Sequence, residues 1–181
     1  MYRGPCTSVY LRPMSYFFLF LTLSMQMVSL CTSSWYSVKQ TGVTMHMGLW
    51  NVCKDKADVI GQCSFLPEWR DDIPVDNLTA IRALYSMAVM MLLGALGYPP
   101  FFKQMSSSVL KIEFMAVLAT IGGVCSFIAM LVITHQVNSL DTKPIFGYSY
   151  VIGWVATGQS FLSAGLIYIA SKDNVYVEGI Y

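Results

Sequence analysis

The chain has 181 residues, 55% of them hydrophobic and 12% charged, against roughly 45–50% and 25% in soluble domains. With a formal net charge of +1 it has no electrostatic case for a nucleic-acid partner, which would need a basic face. Its only histidines are His46 and His135, and no nucleophile motif or phosphate loop is present, so the sequence points to no catalytic site, metal site, cofactor or small-molecule substrate.

In chain order, residues 1–13 carry Arg3 and Arg12 and lead into a Ser- and Thr-rich apolar run at 14–34. That run is long enough to cross a hydrocarbon core of ~30 Å. A cleaved leader would also join early arginines to an apolar stretch ending in small residues. Against that reading, the run starts late and lacks a clean small-x-small ending. Residues 35–81 form a long loop in which Trp35 to Val38, Val43 to Cys53 and Gln62 to Leu66 read as strands, with a turn near Gln40 to Gly42. Two such strands are marginal alone. Cys53 and Cys63, close in sequence and flanked by strand-like residues, suit a disulfide in an oxidising compartment. Asn77-Leu78-Thr79 is a glycosylation sequon, but it lies so near the next span that a structural role for Asn77 reads equally well.

The second span is placed at 82–102, headed by Arg82, and a short loop follows at 103–111. The third span is 112–134, charged only at Glu113, then comes a loop at 135–148, the fourth span at 149–170 and a tail at 171–181. Trp35, Tyr98, Tyr148, Tyr150, Trp154 and Tyr168 lie near span ends, where amphipathic rings prefer to sit. Helices in lipid approach closely where side chains are small. Ala156, Ser160 and Ala164 make such a stripe in the fourth span, and Ala119 with Gly123 a shorter one in the third. Gln26 and Gln159 inside spans are expected to hydrogen-bond between helices, a binding site being the lesser alternative. The expected fold is an all-α membrane protein, a left-handed four-helix bundle under a small antiparallel extracellular β-sheet.

Four spans put both termini on one side. Lys and Arg do not separate the sides, with Arg3, Arg12, Lys103, Lys111 and Lys172 on one and Lys39, Lys54, Lys56, Arg70, Arg82 and Lys143 on the other. Cysteine placement decides instead: the loop with Cys53 and Cys63 is outside, and the termini are cytoplasmic. Cys31 and Cys125 fall at or in spans and Cys6 on the inner side, which suits free thiols.

Trp35 just after the first span, then Gly48-Leu49-Trp50, two residues, Cys53, nine residues and Cys63, make a W…GLW…C…C signature. Ala80-Ile81-Arg82-Ala83-Leu84 opens the second span and Phe146-Gly147-Tyr148-Ser149-Tyr150 leads into the fourth. On these residues the chain resembles the claudin superfamily, and the entry to the fourth span looks most like that of its peripheral myelin, epithelial membrane and lens-fibre branch. The first span and the insert from Asp55 to Ile60 match least. The resemblance implies that Trp35, Leu49 and Trp50 anchor the sheet at the membrane surface, that the disulfide ties neighbouring strands, and that Arg82 bonds loop carbonyls rather than lining an ion path.

It also implies a non-enzymatic plasma-membrane protein of cell–cell contacts or membrane organisation. Such a protein would self-associate in cis and in trans through its outer loops. An auxiliary subunit that grips a channel, receptor or other membrane protein is the alternative. A paracellular barrier or cation-preferring pore is a narrower one. Where pore-forming claudins carry a charge after the second loop cysteine this chain has Ser64, and the acidic cluster Glu68, Asp71, Asp72 and Asp76 reads first as a solvated face. The ending Glu178-Gly179-Ile180-Tyr181 departs from the Tyr-Val ending that many claudins offer to scaffolds.

Overall fold

In lipid every backbone polar group must be satisfied within the protein, so long apolar runs become helices. The computed structural model describes residues 6–40, 43–56, 59–65, 77–101, 108–139 and 144–178. The order is α1 (Cys6–Cys31), β1 (Tyr36–Gln40), β2 (Val43–Met47), β3 (Asn51–Lys56), β4 (Val59–Phe65), α2 (Leu78–Phe101), α3 (Ser108–Asn138), β5 (Ile145–Phe146) and α4 (Tyr148–Glu178). Arg3, Gly42 of the expected turn, Leu66 of the expected last strand, the acidic cluster from Glu68 to Asp76, Lys103, Lys143 and the last three residues of the tail lie outside the described residues.

Four stretches are long and apolar enough to cross a membrane: Pro13–Cys31, Leu78–Gly97, Ile112–Asn138 and Tyr148–Lys172. The helices differ from the spans read from the sequence: α1 begins earlier, at Cys6, and stops at Cys31, short of residue 34, whereas α3 and α4 overrun their spans at both ends. α2 begins at Leu78, inside the segment assigned to the loop, because the Asn77 carbonyl accepts the Ile81 N–H at 3.0 Å and so starts the helix there. α3 continues to Asn138 and α4 to Glu178, since intrahelical hydrogen bonding does not stop where the apolar run does.

α2 packs on α3, α3 on α4, α4 on α1, and α1 more sparsely on α2, closing a ring. Its half away from the sheet is filled by Leu19, Leu23, Val89, Leu92, Met115 and Ile167, while Val117, Val124, Leu131 and Leu162 point outward where lipid would cover them. Small residues set the spacing. A Cβ on Gly122 would lie 3.1 Å from the Ala88 carbonyl, and one on Gly123 would lie 3.2 Å from the Phe161 ring and 3.3 Å from Ser160 Cβ, so α3 is notched toward both neighbours. Ala119, Ala156, Ser160 and Ala164 are all buried.

Hydroxyl groups, rather than glutamines, join the helices. Thr22 and Ser163 oxygens lie 3.2 Å apart, and those of Ser126 and Thr157 3.1 Å apart. The expected role of Gln26 is corrected: it is fully buried, yet neither amide atom has a hydrogen-bond partner. Thr22, Gln26 and Ser29 share one face of α1 by helical spacing. Of the α4 hydroxyls between Ser149 and Ser163, Thr157 donates to Gly153 O at 2.8 Å and Ser160 to Ala156 O at 3.0 Å, so their protons are held within α4. Gln159 is only half-buried.

All strand pairs are antiparallel, in the order β4-β3-β2-β1-β5. The stretch expected as one strand from Val43 to Cys53 is two, because Gly48-Leu49-Trp50 turns the chain and Gly48 N–H donates to Asn51 O at 2.9 Å. β3 and β4 reach into the Asp55–Ile60 insert, with Lys56 paired to Val59. β5, not anticipated, adds Ile145 and Phe146 against Ser37 and Tyr36.

Candidate interaction surface at the sheet end

Trp35 follows the end of α1 and is 2% exposed. Its N–H donates to Met47 O at 3.0 Å, its carbonyl accepts Gly147 N–H at 2.9 Å, and its indole N–H donates to Ser29 O at 2.9 Å. One residue thereby ties α1, β2 and the entry to α4, and its ring meets Tyr85 of α2 edge to face at 5.5 Å. Leu49 packs in the same cluster with Ile81, Met130, Ile133 and Val137.

Two glycines allow the sheet to sit this low. A Cβ on Gly48 would lie 2.5 Å from Ser33 Cα, and one on Gly147 would collide with the Ser34 carbonyl. That carbonyl accepts Ser149 N–H at 3.1 Å. The Ser149 carbonyl accepts the Ser29 hydroxyl at 2.8 Å, and the Ser149 and Thr32 hydroxyls are 2.7 Å apart.

Arg82, 9% exposed, donates from Nε to Leu49 O at 2.7 Å, and its guanidinium lies 5.0 Å over the Trp50 ring. Trp50 in turn stacks on Phe65 at 6.4 Å. Cys53 and Cys63 face each other in register and are joined by a disulfide, with Cα atoms 4.0 Å apart. Tyr36 packs against Met47 and Val52, and burial pushes its phenol up to about 12. His46 Nε2 and Asp55 lie 3.3 Å apart toward the rim, an exposed pairing worth little.

Trp35, Gly48, Leu49, Trp50 and Arg82 thus converge at the seam between sheet and bundle, and the disulfide lies beside it, with Cys53 Sγ 3.7 Å from the Ser33 hydroxyl and Cys63 exposed. Asn77 is exposed at the start of α2. Ala119, Gly123, Ala156, Ser160 and Ala164 belong to the bundle instead and are not part of this surface. Sequence reasoning missed Ser29, Ser34, Tyr85, Gly147 and Ser149 as parts of the clamp. The available signal was Gly147-Tyr148-Ser149 at the mouth of a span, small residues next to an aromatic. Phe65, Ile145 and Tyr148 are largely exposed, at 66%, 58% and 57%. Among the described residues no three His, Cys, Asp or Glu side chains converge as metal ligands would, and Cys31 and Cys125 are free thiols. The arrangement is suited to presenting a rigid face.

A sequence comparison with curated proteins gave no significant match. The model of the PMP-22/EMP/MP20/Claudin family matches residues 10–168, from α1 through most of α4. The buried Trp35 clamp, the disulfide-linked loop sheet and all or most of each of the four spans fall within that match, and the chain is a member of the PMP-22/EMP/MP20/Claudin family.

Proposed function

We propose that the protein acts at the plasma membrane in cell–cell contact or membrane organisation. The sheet faces outward, the opposite end of the bundle faces the cytoplasm, and the chain associates with further copies of itself in cis and in trans. The outward assignment is supported by the Cys53–Cys63 disulfide, which forms and persists in oxidising compartments.

The observation that carries the contact reading is that both edge strands of the anchored sheet bear a large exposed apolar side chain, Phe65 on β4 and Ile145 on β5. Sheet edges are ready templates for another chain, and a face held in place before contact loses less entropy on binding. The chemistry is recognition, without a reaction step.

The test compares tagged protein at borders between two expressing cells with borders where only one cell expresses. Enrichment at the double-expressing borders, reduced by Phe65→Ser or Ile145→Ser at unchanged surface delivery, is the expected outcome. Equal signal at both border types would overturn adhesion in trans. Stoichiometric co-purification with a channel in detergent would then favour an auxiliary subunit.

A further inference from the structure

We draw no further inference here: the strongest candidate, the lipid-facing seam of α4 where Gly158 and Gly165 flank the exposed Leu162, is a stripe of small residues on an apolar face, and nothing in the structure shows what covers it.

Discussion

At Gly48 the obstacle to any side chain is backbone on both sides. A methyl group there would lie 2.5 Å from Ser33 Cα and 3.0 Å from the Thr32 carbonyl, so either the end of α1 or the β2–β3 turn must shift. Overpacking of this kind costs ~1–3 kcal/mol. Gly48→Ala should therefore lower the melting temperature in detergent. Gly97→Ala, whose Cβ meets nothing within 4 Å, should leave it unchanged or raise it through helix propensity. Tyr36 makes a pH prediction at the same scale. Burial raises its phenol from 10.0 to about 12. Below pH ~10 the folded and unfolded chains both keep the proton, and the residue adds no pH dependence. Between 10 and about 12 the unfolded chain releases a proton that the folded chain holds, so stability falls as pH rises through that window. Denaturation followed at pH ~9 and ~11 should show this loss, and Tyr36→Phe should reduce it.

Among the elements, α1 shows how a polar residue can be buried without being used. Gln26 is fully buried with both amide atoms unpartnered, whereas Ser29 one turn on donates to Ser149 O at 2.8 Å. Burying an amide without a partner costs ~1–3 kcal/mol by mutational measures. Gln26→Leu should raise the free energy of unfolding in detergent by an amount in that range, and a lowered value would contradict the observed packing. The helices were legible because membrane spans announce themselves by length, and the disulfide because its two cysteines flank a short hairpin. The Ser- and Thr-rich composition of α1, by contrast, reads as weak hydrophobicity. Its use as a hydroxyl seam toward α4 depends on which helix lies opposite, which no local pattern states. β5 is a two-residue strand with no period to detect, recruited by β1 from more than a hundred residues away. The break between β2 and β3 lay in Gly48-Leu49-Trp50, three residues quoted as a signature but not read as a turn.

For the whole molecule, the question is what makes sheet and bundle one body. Trp35, Ser34, Ser29 and Ser149 fasten the β1 and β5 side, through backbone hydrogen bonds at Trp35 and Ser34 and through the Ser29 hydroxyl and the Trp35 indole, which donate to backbone carbonyls. Arg82 fastens the β3 side, through Leu49 O and the Trp50 ring. Hydrogen bonds to charged groups contribute ~1.5–3 kcal/mol, and a cation over an indole adds ~0.5–2 kcal/mol as water is excluded. Arg82→Ala should thus release the β3–β4 side while the Trp35 side holds. Hydrogen exchange should speed up in residues 51–56 and 59–65 and change little in α3. Arg82→Lys should be intermediate, since an ammonium keeps the charge but not the planar guanidinium that both donates and stacks. The proposed function depends on this coupling, because Phe65 is positioned by Trp50 and Trp50 by Arg82. Arg82→Ala should then weaken enrichment at double-expressing borders even though Phe65 is intact. Faster exchange with undiminished border enrichment would show that contact does not need a rigid β4 edge, and would move the recognition surface to the β5 side, where Ile145 and Tyr148 are exposed.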